Sequence, residues 1–133
     1  CAYLLDSING RLGLSEYVLA TVSPHVTAPL LPFIVFVSTG LLAFATGSNW
    51  GVFVITLPIV TTLANSVGAD MTLVIGATLS ASTFGSHACF YTDATVLTAQ
   101  ACGTTPYQHA MSQIPYALIA AAIAAAGYLL LAF

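Results

Sequence analysis

Long apolar runs separated by short polar breaks organise this chain, and the breaks carry most of its information. Residues 1–27 mix apolar positions with Asp6, Asn9, Gly10, Arg11, Gly13, Ser15 and Glu16. Breakers crowd together there and Ser15 suits a helix cap, so the segment reads as an interfacial stretch or the end of a preceding helix. Residues 28–67 hold two apolar arms, 30–45 and 50–66, joined by the uncharged tip Gly47-Ser48-Asn49. Each arm would be about 25 Å long as a helix, which suits either a tilted span or a re-entrant arm. A tip with no charge and almost no length suits burial inside protein better than bulk water, which favours a re-entrant hairpin. Asn65, Gly68 and Asp70 then form a polar turn, with Asp70 as the cap of the next helix.

The stretch 71–84 is too short to cross a bilayer, at about 21 Å. It runs into a polar island, Gly85-Ser86-His87-Ala88-Cys89-Phe90-Tyr91-Thr92-Asp93, and a second short helix over 94–102 is expected beyond it. Two short helices around such an island are the signature of a discontinuous membrane helix, whose broken middle is tolerated where it lines a cavity. Gly103-Thr104-Thr105-Pro106 closes that element by turn chemistry, and residues 110–133 supply a final apolar span. In that span Ala120/Ala124, Ala121/Ala125 and Ile123/Gly127 give a smooth face for close packing, with Tyr116 and Tyr128 expected at the two headgroup levels. The expected fold class is all-α: a polytopic helical membrane protein fragment with a re-entrant hairpin (28–67), a discontinuous transmembrane helix (71–102) and a terminal transmembrane helix (110–133).

Composition decides the environment. Of 133 residues, 59% are hydrophobic and only 4% charged, against roughly 25% charged in a soluble domain. No Lys, Arg, Asp or Glu lies between Glu16 and Asp70 or after Asp93, and each stretch exceeds the ~20 residues needed to span a bilayer. The apolar runs lack the alternation of a β-barrel, and no basic segment precedes them as in a signal peptide. The chain opens on Cys1 within an apolar pattern and reads as part of a longer polypeptide. With Arg11 the sole basic residue, charge bias assigns no membrane orientation. The net charge of −3 gives no reason to expect a nucleic-acid partner.

The candidate chemistry follows from the two breaks. Helix ends carry unpaired backbone groups equivalent to roughly half a charge each, so a break facing a break makes a site for a small cation on oxygens or for an anion on amides. Oxygen donors suited to Na+ are the hydroxyls of Ser48 and Thr92, the Asn49 amide and the Asp93 carboxylate. Asp93 is also a good cap for the second half-helix; backbone N–H bonds would then favour a permanent carboxylate, whereas desolvation would make it a proton carrier. A cap alone could be Ser or Thr at lower desolvation cost, so a functional role is preferred for Asp93. His87 is either a proton carrier, imidazole titrating in the physiological range, or a partner for backbone groups freed by the break. His87 and Cys89 are too few for a structural zinc site, and Cys89 lacks the surroundings of a catalytic nucleophile. His25 and His109 fall in loop-like positions. Pro32 and Pro58 fall within apolar helices, each removing one backbone hydrogen bond.

Taken in order, Ala45-Thr46-Gly47-Ser48-Asn49-Trp50-Gly51, Leu57-Pro58-Ile59, Gly85-x-His87, Asp93-x-Thr95 and Gln113-x-Pro115-Tyr116 resemble the C-terminal half of NhaC-type Na+/H+ antiporters, within the wider ion-transporter superfamily. The resemblance implies one of two inverted repeats, with a cation site where hairpin and broken helix meet. It implies Na+ for H+ exchange by alternating access in a prokaryotic cytoplasmic membrane. In that scheme Asp93 holds Na+ or protons competitively, Ser48, Asn49, Ser86 and Thr92 supply oxygen, and His87 is the proton partner. The family pattern often reads Gly-Asp-His where this chain has Gly85-Ser86-His87. One carboxylate fewer keeps a cation-coupled or exchange carrier for an organic acid or amino acid as the alternative. No cofactor is expected beyond the transported Na+ and H+. The expected partners are the lipid bilayer, the N-terminal half of the same transporter and, as an admitted assembly, a second copy in a homodimer.

Overall fold

A computed structural model describes residues 27–131, together with Gly13. The interfacial reading of 1–27 and the loop position of His25 therefore fall almost wholly outside the described residues. Five α-helices follow in chain order: α1 (Leu31–Thr46), entered through a 3-10 turn at Ala28–Leu30, then α2 (Asn49–Val67), α3 (Met71–Ala88), α4 (Asp93–Ala101) and α5 (Pro106–Leu131). Ala28–Thr46, α2 and α5 are each long and apolar enough to cross a membrane, and α3 with α4 forms a further candidate span bent by 47° at the break. The chain is thus a helical membrane protein. Large apolar side chains on its outer surface, such as Leu130 (80% exposed) and Ile123 (69%), fit a surface that meets lipid or protein instead of water.

The helix ends follow local chemistry. Asp70 caps α3, its carboxylate accepting from Thr72 N at 2.8 Å and Leu73 N at 3.1 Å. Pro32 lies in the first turn of α1, where no backbone hydrogen bond is lost, which corrects the expectation that it interrupts a helix. α5 starts at Pro106, so His109 is helical and not in a loop. The cause is a capping box: Thr105 Oγ1 accepts from Gln108 N at 3.3 Å while Gln108 Oε1 accepts from Thr105 N at 3.4 Å. Hydroxyls inside the apolar helices turn back onto their own carbonyls, as in Thr78 to Val74 (2.9 Å) and Thr83 to Leu79 (2.9 Å). Among the described residues no buried side-chain nitrogen or oxygen lacks a partner.

α3 is the axis of the assembly, packing chiefly against α1 and α2 and also against α5. Leu31, Val35 and Phe36 of α1, Val60, Leu63 and Ala64 of α2, and Val74, Ala77 and Ala81 of α3 form the core. The tightest approach is between α1 and α3. A Cβ added to Gly85 would overlap that of Ala43 and come within 2.7 Å of the Phe44 backbone nitrogen, and one on Gly40 would meet Phe84 at 3.3 Å. Small residues at this crossing let two backbones touch. The alanine face of α5 plays a lesser part, with Ala121, Ala124 and Ala125 only partly buried against the core. Tyr128 bonds the Ser80 hydroxyl at 2.7 Å and packs its ring 5.5 Å from that of Phe36, so it is a bundle contact where a headgroup anchor was expected.

The close crossing delivers the end of α1 to the break in α3–α4. Gly47 ends α1 at φ 64°, its N–H returning to Ala43 O at 2.9 Å. A Cβ there would lie 2.5 Å from the nearest carbon of the Tyr91 ring. The Tyr91 hydroxyl donates to Ala45 O at 2.6 Å, with Phe44 O at 3.3 Å, covering carbonyls that the helix end leaves free. On the other side Phe90 stacks on Tyr107 of α5 at 5.7 Å. Two substitutions in the full-length protein check this arrangement by thermal unfolding in detergent. Gly85→Val drives side-chain atoms into main chain and should cost about 3 kcal/mol or more. Tyr91→Phe should cost only about 0.5–1.5 kcal/mol, the value of one hydroxyl bond.

Candidate functional site

The break is shorter than the polar island that announced it. α3 continues one turn beyond Phe84, so Gly85, Ser86 and His87 are helical and only Cys89–Thr92 separate α3 from α4. The reason is packing: Gly85 is the contact point with α1, and helical geometry there is what lets α1 approach. α4 begins at Asp93, and its cap is Thr92, whose Oγ1 accepts from Thr95 N at 3.2 Å. Asp93, expected as the cap, stands in the first turn, exposed, its carboxylate accepting from the next N–H, Ala94 N, at 2.8 Å. An acidic group there suits the positive end of the helix dipole.

A buried oxygen cluster lies at the start of α4. Thr92 and Thr95 are 1% and 2% exposed. Thr92 Oγ1 lies 2.8 Å from Ser86 O and 2.9 Å from Thr95 Oγ1, and Thr95 Oγ1 lies 2.9 Å from Cys89 O. Three oxygen–oxygen contacts thus share two hydroxyl hydrogens, so the cluster is richer in acceptors than in donors. Such a surplus is the electrostatic condition a small cation relieves. Ser86 is buried and enters through its carbonyl, while its hydroxyl returns to Thr83 O at 2.9 Å.

The tip residues are differently placed. Ser48 is the exposed cap of α2, accepting from Gly51 N at 3.1 Å, and Asn49, half-buried, is that helix's first residue. Their neighbour Gly47 makes the contact with the break, against Tyr91 and, at 3.5 Å from its Cβ position, the Cys89 sulfur. Among the described residues no hydrogen bond joins Ser48 or Asn49 to Ser86, Thr92 or Asp93. His87 stands apart as well. It is exposed on the face of α3 carrying Ser80, Thr83 and Phe84, which lines a groove of about 450 Å³ against α5, and its Nδ1 lies 3.2 Å from Gln113 Nε2. The six expected residues therefore fall into three groups: Ser86, Thr92 and Asp93 at the break, Ser48 and Asn49 at the tip, and His87 in the groove.

Sequence reasoning passed over Tyr91, Thr95 and Gln113 as site residues. Thr95 had a usable signal, since Thr92 and Thr95 are three apart at a helix start and share a face. Tyr91 and Gln113 act across elements, so no local pattern marks them.

Comparison with known proteins places the chain in a family. A protein of Haemophilus influenzae, named only as an uncharacterized protein, is 29% identical over 133 residues, covering 99% of this chain. The chain spans 26% of that relative's length. No solved structure matches the chain. The whole of residues 1–133 matches the Na+/H+ antiporter family, and the chain belongs to that family.

Proposed function

We propose that the full-length protein exchanges Na+ for H+ by alternating access across a prokaryotic cytoplasmic membrane, and that this chain is part of the C-terminal half of an NhaC-type antiporter. Family membership supports ion exchange as the activity and transport, not catalysis, as its nature. The observation that carries the site assignment is the acceptor-rich cluster of Ser86 O, Cys89 O, Thr92 Oγ1 and Thr95 Oγ1 at the start of α4, the helix whose first residue is the exposed Asp93. Hard oxygen donors of this kind, without sulfur or imidazole, suit a small alkali cation.

In this reading Na+ enters beside Asp93, and the two threonine hydroxyls rotate their hydrogens away to offer lone pairs. Ser48 and Asn49 approach from the tip as further oxygen donors, and the hairpin enters and leaves from one side of the membrane. Asp93 takes Na+ in one phase of the cycle and a proton in the other. His87 is the proton partner, working from the groove and not as a direct neighbour of Asp93. The second, inverted half of the transporter completes the site, and lipid surrounds it; a homodimer is the assembly this reading admits.

The test is sodium-driven collapse of a pH gradient in vesicles bearing the full-length protein. Wild type should dissipate the gradient on addition of Na+. Asp93→Asn should raise the Na+ concentration for half-maximal rate by about tenfold or more, from losing a charged ligand worth roughly 1.5–3 kcal/mol. Thr95→Val should act in the same direction with a smaller effect. An Asp93→Asn protein that exchanges as well as wild type would sink the assignment.

A further inference from the structure

Thr39 of α1 is the buried hydroxyl that the hydrogen-bond pattern leaves over. The other buried hydroxyls among the described residues, on Thr78, Ser82, Ser86, Thr92 and Thr95, each donate to a carbonyl. Thr39 is only 3% exposed, yet its Oγ1 forms no hydrogen bond with any described residue. Every side-chain oxygen that the described protein covers completely does have a partner. The small opening left at Thr39 therefore lies at its hydroxyl.

That opening faces a cleft of about 160 Å³ between the two arms of the hairpin, lined by Ser38, Thr39 and Leu42 of α1 and by Thr56, Ile59 and Val60 of α2. Ser38 Oγ donates to Ile34 O at 2.7 Å and Thr56 Oγ1 to Val52 O at 2.8 Å. Each of these hydroxyls has committed its hydrogen to its own helix and offers the cleft only lone pairs, whereas Thr39 also offers an O–H. The wall thus calls for a ligand that both donates and accepts. A cation would meet neutral oxygens with no carboxylate among them and would leave the Thr39 hydrogen without an acceptor. A lipid chain would leave all three hydroxyls facing hydrocarbon, at about 1–3 kcal/mol for each group left unpaired. Water supplies both roles, and at about 30 Å³ per molecule the cleft has room for a small cluster. A hydroxyl so nearly covered is also within reach of a water and not of a bulky side chain carried by a neighbouring helix.

The two faces of α1 are held differently. Toward α3 it is in direct contact, with Gly40 against Phe84 and Ala43 against Gly85. Toward α2 it meets the cleft, and α2 is interrupted at that level, because Pro58 removes the backbone bond to the Val54 carbonyl.

We infer that this cleft is an internal hydration site, in which a small water cluster held by Thr39, Ser38 and Thr56 joins the two arms of the hairpin. The arms then meet partly through water, while α1 and α3 meet directly. Bonds to water exchange one at a time, so α2 can shift along α1 without leaving a hydroxyl unpaired at membrane depth. The site shares no residue with the oxygen cluster at the break and is the same whichever ion the protein exchanges.

The experiment is solid-state NMR of the threonine-labelled, full-length protein in bilayers, reading magnetisation transferred from water to each side chain. Thr104, exposed in the turn before α5, and Thr78, fully buried and bonded to Val74 O at 2.9 Å, serve as internal references. Thr39 should take up water magnetisation nearly as fast as Thr104 and several-fold faster than Thr78. Thr39→Val keeps the shape of the side chain and removes the hydroxyl, so transfer to Thr56 should fall several-fold, and Thr39→Ser should retain it. A wild-type Thr39 as slow as Thr78 would overturn the inference, as would a Thr39 whose contacts are to lipid chains or to a side chain of another segment. Unchanged transfer to Thr56 in a folded Thr39→Val protein would overturn the bridging of the arms. The wild-type comparison needs no variant, so it decides the matter even where a substitution prevents folding.

Discussion

Everything at the candidate site depends on how closely α1 can approach α3. At Gly85 the two backbones come within reach of each other because a hydrogen replaces a side chain, and any Cβ there would strike Ala43 and the main chain of Phe44. In a bilayer this contact gains little from hydrophobic burial, since lipid tails are as apolar as the side chains; it is dispersion between well-fitted surfaces that holds it. The consequence is positional. The end of α1, with its uncovered carbonyls, arrives where Tyr91 can bond Ala45 O and lie over Gly47.

The second constraint is that polar backbone at membrane depth must find partners within the protein. Around the four-residue break between α3 and α4, Thr92 and Thr95 take the Ser86 and Cys89 carbonyls, and Tyr91 takes those at the end of α1. The break is therefore satisfied but not saturated: two hydroxyl hydrogens serve three contacts.

Much of the architecture was legible because membrane helices announce themselves by uninterrupted apolar length, and the turns at Gly47-Ser48 and Gly68 to Asp70 by breakers. The extent of the break was not legible. Gly85, Ser86 and His87 look like turn residues, but the glycine serves helix packing and the serine bonds its own helix. Thr92 outcompeted Asp93 as cap because a hydroxyl can accept from Thr95 N while bonding Ser86 O, a double duty that needs burial. His87 was grouped with Asp93 by nearness in sequence. On a helix, however, a step of one residue turns the side chain by about 100°, so His87 faces the groove against α5 while the Ser86 side chain is buried and only its carbonyl meets Thr92 at the break. Tyr91, Tyr128 and Gln113 owe their roles to partners on other helices, which hydropathy does not encode.

The central claim is that the tip of the α1–α2 hairpin and the break between α3 and α4 form one structural unit. Solid-state NMR of the isotopically labelled full-length protein in bilayers tests it most directly, through short-range carbon–carbon contacts of the Tyr91 ring. The account predicts cross-peaks from the ring carbons to Gly47 Cα and to the Ala45 carbonyl carbon. A Tyr91 ring that shows contacts only to lipid or to other segments, with Gly47 found elsewhere, would contradict it.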